Sequence, residues 1–171
     1  KNLKSEKLIN IYEIFEKPLI KILAFMEIEG VEIDSKFLKS LSQKFNKKIL
    51  TLEKEIYKIS KKEFNIGSPK QLGEIIYNDL KIAGLKKTKK GGFATSASVL
   101  EDLAFKGNKF PKLILDWRQL SKLKNTYSDA LPEHVNPTTK RVHTSFLLAA
   151  TTTGRLASSD PNLQNIPIKS D

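Results

Sequence analysis

The feature that most constrains the fold of this chain is a long stripe of apolar residues between positions 35 and 61. Spacings of three and four residues alternate along the stripe, which consists of Leu38, Leu41, Phe45, Ile49, Leu52, Ile56 and Ile59. This pattern predicts one continuous helix about 38 Å long. Because such a helix cannot bury its apolar side alone, we expect an antiparallel partner helix, as in a coiled coil.

The expected partner begins at Pro111 and runs to about Tyr127, with Trp117 among its inward-facing residues. Other helices are predicted over 11–30, ended by Gly30, from Pro69, capped by Ser68, and from Ser96 or Ser98, while Asp34 is expected to cap the long helix. A strand is predicted over Val142 to Thr151, followed by a short helical turn capped by Asp160. The sequence therefore predicts a mainly α fold, with a long antiparallel helical arm over 1–131 and a short β segment over 132–171.

The charge of the chain favours a polyanionic partner. Lysine and arginine together number 30 against 19 aspartates and glutamates, which gives a formal net charge of +11 over 171 residues. The alternative is a solvated basic surface without a partner. Only Arg118, Arg141 and Arg155 are arginine, and a lysine-rich composition also follows from an AT-rich genome.

The composition also bears on the compartment. The chain has no cysteine, which excludes disulfides and thiolate metal sites and fits a reducing environment. No apolar run approaches ~20 residues, and the N-terminal residues lack the apolar core of a signal peptide. We therefore expect a soluble, intracellular protein without a membrane partner.

The stretch from Thr151 to Pro167 has the clearest character of a binding segment. It combines several hydroxyls, one carboxylate and no histidine with one guanidinium and three amides, which belong to Arg155, Asn162, Gln164 and Asn165. This inventory suits holding and inspecting a polar ligand, and it does not suit general acid–base chemistry.

Five motifs occur in a fixed order along the chain. They are M-E-I-E-G-V at 26–31, F-N-I-G-S-P-K-Q-L at 64–72, W-R-Q-L-S-K-L-K-N-T-Y at 117–127, N-P-T-T-K-R-V-H-T-S-F at 136–146 and T-G-R-L-A-S-S-D-P-N-L-Q-N-I-P at 153–167. In these motifs the chain resembles the family A DNA polymerases, the family of bacterial DNA polymerase I, along nearly its whole length. The last two motifs are highly specific.

The resemblance implies a role for each part of the chain. Residues 1–131 would be the polymerase thumb and its base, and residues 132–171 the proximal palm, with a strand, the T-G-R-L turn and a short helix. The complete protein would be a template-directed DNA polymerase of replication and repair that uses Mg²⁺, primer–template duplex DNA and deoxynucleotides. We expect a monomer in the bacterial cytoplasm, with an organelle as the alternative.

No catalytic residue and no metal site are predicted within the chain. Two-metal phosphoryl transfer needs carboxylates that hold cations about 4 Å apart, and Glu133, Asp160 and Asp171 offer no such pair. By the resemblance, the metal-binding aspartates and the nucleotide-binding helix are expected beyond Asp171. The fragment should therefore bind DNA without polymerising it. His134 and His143 are interpreted as structural, because neither has a second ligand at metal spacing.

The resemblance assigns Arg155 to the minor groove at the primer end. Every Watson–Crick pair presents acceptors in that groove, so a donor there tests pair geometry without reading sequence. Asn162, Gln164 and Asn165 match family positions that line the same groove. The alternatives are a surface arginine that holds a loop and amides that cap turns. The family usually has serine where this chain has Ala157, so the resemblance implies no hydroxyl contact to the template at this position.

Three further groups are expected to contact DNA phosphates. They are Arg118, Lys122, Lys124, Asn125 and Thr126 on the second long helix, Asn65, Ser68 and Lys70 at a helix N-terminus, and Lys86, Lys87, Lys89 and Lys90 in a glycine-ended loop at the thumb tip. Cationic side chains bind phosphates of any sequence, and a helix N-terminus favours them. The alternatives are a solvated helix face, a pure cap at Ser68 and a solvated loop.

Two other functions stay open. A stand-alone duplex DNA-binding module would lack a reading frame that continues past Asp171 into aspartate-bearing motifs. A helical protein-interaction domain would bind other helices with little dependence on salt. Binding through phosphates, in contrast, weakens steeply between roughly 50 and 200 mM salt.

Overall fold

The structure is a computed structural model that describes residues 2–82 and 92–167. The chain is mostly helical with a small antiparallel sheet, which confirms the mainly α fold. The elements are α1 (Asn2–Ser5), α2 (Ile9–Ile11), α3 (Lys17–Glu29), α4 (Ser35–Ser60), α5 (Pro69–Glu74), α6 (Ala97–Phe105), α7 (Lys109–Leu123), α8 (Ala130–Glu133), β1 (Ser145–Leu147) and β2 (Ala157–Ser159). The π-helical segments Tyr12–Glu16, Ile75–Asp79 and Lys124–Asp129 continue α2, α5 and α7.

The chain forms two compact units. Lys39–Ser128 is the helical unit, and Lys1–Leu38 together with Asp129–Asp171 is the hairpin unit. The first helices thus group with the residues that follow the helical arm, whereas the sequence grouped all of residues 1–131. The assignment of thumb and palm on either side of residue 131 stays a prediction.

In the helical unit, α4 and α7 contact each other through side chains and run in opposite directions. Glu55 Oε2 lies 3.3 Å from Lys109 Nζ at the start of α7. Glu53 Oε1 accepts a 3.0 Å hydrogen bond from Trp117 Nε1 in the middle of α7. One groove further along is lined by Lys48, Thr51, Leu52, Asp116, Gln119 and Leu120. Positions on α7 rise as those on α4 fall, so these contacts have the predicted antiparallel direction. Long side chains make them, and the backbones of the two helices do not pack as closely as the expected coiled coil requires.

The core of the helical unit explains why α4 stays in place. Its buried members are Ile56, Ile66, Leu72, Ile75, Ile76, Leu100, Leu103, Phe110, Leu113 and Ile114. Each fully buried side chain of this size contributes about 1.5–3 kcal/mol. Asp34 caps α4 as predicted, because its Oδ1 accepts the Phe37 N–H at 2.9 Å.

In the hairpin unit, the end of α3 is bound to the chain that leads into β1. Val31 and Val142 exchange two backbone hydrogen bonds of 2.8 Å. Glu27 Oε1 accepts the Phe146 N–H at 2.5 Å, and the Glu27 carbonyl accepts from His143 Nδ1 at 2.8 Å. These contacts join residues 119 and 116 positions apart and fix β1 on α3.

The predicted strand over Val142 to Thr151 is too long. β1 pairs with β2 in an antiparallel register that sets Phe146 opposite Ser158. The chain leaves the strand direction at Ala149, whose φ is 53°. The threonines that favoured a strand by composition instead belong to the turn that reverses the chain.

The helical turn predicted after Asp160 is also wrong, since the described chain through Pro167 contains no helix there. Asp160 has a φ of 54°, which is not the extended conformation of an N-cap residue. Asn162 closes a turn in its place, because its Oδ1 accepts the N–H groups of Gln164 and Asn165 at 3.0 and 3.3 Å.

Candidate nucleic-acid interface

A short turn ahead of β2 presents Arg155. Thr151 Oγ1 donates a 2.8 Å hydrogen bond to the Arg155 carbonyl, and the Gly154 N–H donates to the Thr151 carbonyl at 3.2 Å. Gly154 has a φ of 71°, in the left-handed region that glycine adopts without a Cβ penalty. The turn therefore holds its own backbone, while the Arg155 side chain is exposed.

The three arginines of the chain differ in what they bind. Arg118 Nη1 donates to the Thr95 carbonyl at 2.6 Å. Arg141 donates to the Gly30 carbonyl at 3.2 Å and lies within 4 Å of two glutamates of the hairpin unit. Arg155 forms no ion pair or side-chain hydrogen bond with any residue that the structure describes. Its guanidinium is thus available to a ligand.

The path after β2 is set by two buried hydroxyls. Thr144 Oγ1 lies 2.9 Å from the Ser159 carbonyl and 2.7 Å from the Pro161 carbonyl. Ser158 Oγ accepts the Leu163 N–H at 3.0 Å. Because Thr144 precedes β1, these bonds connect the Arg155 hairpin to the part of the chain that is fixed on α3.

The amide side chains predicted for the minor groove have different roles. The oxygen of Asn162 is used in its own turn, which supports the capping alternative for this residue. Gln164 and Asn165 are exposed on the same turn. Ala157 lies half-buried in β2, so the missing serine hydroxyl would fall on the strand that follows Arg155.

In the helical unit, Arg118 lies in a groove with the loop before α5. Gly67, Pro69, Phe93, Ala94, Thr95, Ser96, Trp117 and Arg118 line this groove. Burial lowers the pKa of Arg118 from its ordinary value, and its bond to Thr95 gives it a structural role. Since a guanidinium has five donors, further contacts to a phosphate stay open.

The end of α7 keeps polar side chains at the surface. Lys122, Asn125 and Thr126 are exposed, and Lys124 is half-buried. Asn125 and Thr126 lie in the π-helical segment, where Ser128 Oγ donates to the Lys124 carbonyl at 3.0 Å. The contribution of all four to DNA binding stays a prediction.

The polar groups of the loop before α5 mostly form hydrogen bonds within the loop and the first turn of that helix. Asn65 Oδ1 accepts the Gly67 N–H at 2.9 Å, and Ser68 Oγ accepts the Gln71 N–H at 3.4 Å. Gln71 reaches back to the Asn65 N–H at 2.7 Å rather than to Ser68, as an ordinary capping box would. Ser68 is therefore confirmed as the cap, and Lys70 is the exposed cation of this group.

The predicted lysines of the thumb-tip loop, possible metal ligands and possible membrane helices remain to be placed. Lys86, Lys87, Lys89 and Lys90 lie outside the described residues. Within 2–82 and 92–167, no three His, Asp or Glu side chains lie close enough to hold a metal ion together. In the same ranges, no helix has the length and apolar character needed to cross a bilayer.

No sequence pattern indicated three residues that position the hairpin, namely Glu27, Thr144 and Ser158. His143, interpreted above as structural, has its predicted kind of role through its bond to the Glu27 carbonyl. Glu27 and His143 lie within motifs of the family resemblance, but their mutual contact spans 116 positions and leaves no local pattern. Only a comparison of related sequences for paired changes could have indicated it.

The chain is similar in sequence to known DNA polymerases. The model of DNA polymerase family A matches residues 35–171. DNA polymerase I of Rhizobium leguminosarum is 54% identical over 162 residues, covering 95% of this chain and 16% of the relative. The thermostable DNA polymerase I of Thermus thermophilus is 46% identical over 165 residues, covering 96% of this chain and 20% of the relative.

A solved structure agrees with these relatives. The POL domain of Pol1 from M. smegmatis, in complex with DNA primer-template and dNTP, superposes with a TM-score of 0.87 at 35% identity. The superposition covers 99% of this chain and 30% of that one. The chain thus spans about a sixth to a fifth of the length of these two curated relatives. On these matches, the chain belongs to the family A DNA polymerases.

Proposed function

We propose that this chain is the part of a template-directed DNA polymerase that holds primer–template duplex DNA. The observation that carries the proposal is the exposed Arg155 guanidinium on a self-supporting turn, within a chain of net charge +11. The M. smegmatis polymerase domain, part of which resembles 99% of this chain, was solved with DNA primer-template and dNTP.

Arg155 would act on the minor groove at the primer end. Purine N3 and pyrimidine O2 present acceptors at similar positions in every Watson–Crick pair, and a mispair displaces them. A fixed donor therefore senses the shape of the pair. The exposed Gln164 and Asn165 would add donors and acceptors in the same groove, whereas Asn162 would act mainly by shaping the turn.

The phosphate contacts would come from the helical unit. Lys122, Asn125, Thr126 and Lys70 are exposed there, and Lys124 is half-buried at the end of α7. Arg118 would bind a phosphate through the guanidinium N–H groups that do not donate to the Thr95 carbonyl. The loop lysines at 86, 87, 89 and 90 belong to the same proposal. Such contacts position a duplex without reading its sequence.

The complete enzyme would catalyse nucleotidyl transfer in replication and repair, with deoxynucleotides as substrates and Mg²⁺ as cofactor. We expect residues 1–171 alone to bind DNA without extending a primer, because the described part of the chain brings no three metal ligands together. A monomer and the bacterial cytoplasm are the expected state and location. Light scattering of the purified chain tests the first of these.

The experiment is a titration of primer–template DNA against the chain at several salt concentrations, with a primer-extension assay alongside. The proposal predicts binding that weakens steeply between roughly 50 and 200 mM salt, without extension. Salt-insensitive association with proteins and no DNA binding would instead support a helical interaction domain. A gene that ends at this domain would support a stand-alone DNA-binding module.

A further inference from the structure

The outer face of α4 carries three lysines that no predicted contact uses. These residues are Lys47, Lys54 and Lys58, and we call them the lysine face. All three side chains are exposed. At 3.6 residues per turn they fall within about 40° of one another around the helix axis, over a length of about 16 Å. On the opposite side of α4 lie the core residue Ile56 and its neighbours of the apolar stripe.

Within the described residues, no acidic side chain forms an ion pair with the lysine face. The acidic residues of α4 are Glu53 and Glu55, and both are bound to α7, through Trp117 and Lys109. None of the three lysines forms an ion pair with another described residue. Lys54 and Lys58 are four positions apart, where like charges destabilise a helix. Binding of a polyanion would relieve this repulsion.

The lysine face adjoins residues already proposed to contact DNA. Lys47 lines a surface groove together with Lys124 of the π-helical segment after α7, and Ser42, Gln43 and Asn46 line the same groove. A phosphate backbone that follows the end of α7 would therefore meet Lys47 next. Duplex DNA carries one negative charge per about 1.7 Å of its axis, so three lysines over this length can each meet a phosphate.

We propose that the lysine face is a second, sequence-independent contact surface for the DNA backbone, continuous with Lys124 through Lys47. The inference rests on the proposed function and extends it to a face that carries none of the predicted site residues. Lysines suit this role because each is a compact charge on a flexible stem. The continuity with Lys124 favours DNA over an acidic protein as the partner.

The test compares two triple variants of the intact chain. K47Q/K54Q/K58Q removes the lysine face, and K4Q/K21Q/K106Q removes three exposed lysines elsewhere with the same change in net charge. Each variant is titrated with primer–template DNA at several salt concentrations. Thermal unfolding followed by circular dichroism verifies that both variants fold.

Each lost phosphate contact reduces the slope of log affinity against log salt by about 0.9, so the lysine-face variant should lose about 2.7 in slope. Its loss of affinity between roughly 50 and 200 mM salt should then be about 40-fold smaller than that of the unmodified chain. The control variant should keep the unmodified slope. This pair of results supports the proposal.

Equal slopes in the two variants would overturn the proposal, because the effect would then follow net charge alone. An unchanged slope in the lysine-face variant would overturn it as well, whether or not the face binds an acidic protein. Neither result touches the proposed function, which instead fails if the unmodified chain does not bind primer–template DNA.

Discussion

Substitution of Gly30 by alanine tests how tightly α3 is packed on the hairpin. Gly30 has φ 67° and ψ −175°, a backbone conformation that is essentially restricted to glycine. A Cβ atom at this position would lie 2.7 Å from His143 Cε1 and 2.9 Å from the Val142 carbonyl oxygen. Alanine must therefore displace the imidazole, the backbone, or both.

The expected loss of stability is the sum of two effects. The backbone conformation costs about 1–3 kcal/mol for a residue with a side chain. Displacing His143 breaks its 2.8 Å hydrogen bond to the Glu27 carbonyl, which removes about 1 kcal/mol more. We expect the hairpin unit to lose about 2–4 kcal/mol, which speeds amide exchange about 30- to 900-fold where exchange requires unfolding of this unit.

Hydrogen–deuterium exchange of peptides covering residues 141–147 measures this loss. Gly154→Ala is the matched control, because Gly154 has a similar φ of 71° in the same unit but nothing within 4 Å of the position that a Cβ atom would take. It should show the backbone effect alone. If Gly30→Ala speeds exchange no more than Gly154→Ala does, the close packing of Gly30 against Val142 and His143 is refuted.

Two further predictions concern the helical unit. Trp117→Phe removes the 3.0 Å hydrogen bond to Glu53 and should lower the free energy of unfolding by about 1–2 kcal/mol in urea. Thr51→Ala, whose hydroxyl bonds only within α4, should change it by less than about 0.5 kcal/mol, and an equal loss in both would contradict the α4–α7 contact. Burial, with Glu53 and Glu63 nearby, raises the pKa of Tyr57. The stability that the protonated Tyr57 phenol contributes is therefore complete below the unfolded-state pKa of about 10. It is lost as the pH rises through the higher folded-state pKa. Urea titrations at increasing pH should show this decline, and a Tyr57→Phe variant with the same decline would disprove it.

Sequence reasoning succeeded where one local pattern dominates the energy. The stripe of α4 runs from Leu38 to Ile59, about six turns of helix, and α7 runs antiparallel to part of it over 15 residues. Asp34 and Ser68 were identified as caps because a cap acts on N–H groups only three residues away. Long helices and caps of this kind are determined locally.

The hairpin could not be predicted in the same way. The threonines around Thr151 suit a strand by composition, yet the Thr151 hydroxyl bonds the Arg155 carbonyl and closes a turn. The extent of β1 depends on Glu27, 119 positions before its partner Phe146. Contacts over such distances in sequence decide where a short strand ends.

The candidate site shows the same division. Residue types predicted a binding segment around Arg155, and the structure adds that its guanidinium is exposed and without a described partner. For Arg118, residue type and helical position gave no indication of the bond to Thr95, 23 positions earlier in the chain. The sequence alone does not distinguish an arginine whose side chain binds a backbone carbonyl from one whose side chain is available to a phosphate.

The most direct test of the central claim measures how well the chain distinguishes matched from mismatched primer ends. We expect the unmodified chain to prefer the matched end, and Arg155→Ala to lose about 1–3 kcal/mol of affinity for the matched end with little change for the mismatched one. Arg155→Lys, which keeps the charge but not the forked donor, should retain much of the affinity and lose much of the preference. Equal loss of affinity for both primer ends in Arg155→Ala would contradict the claim that this guanidinium senses the geometry of the terminal pair.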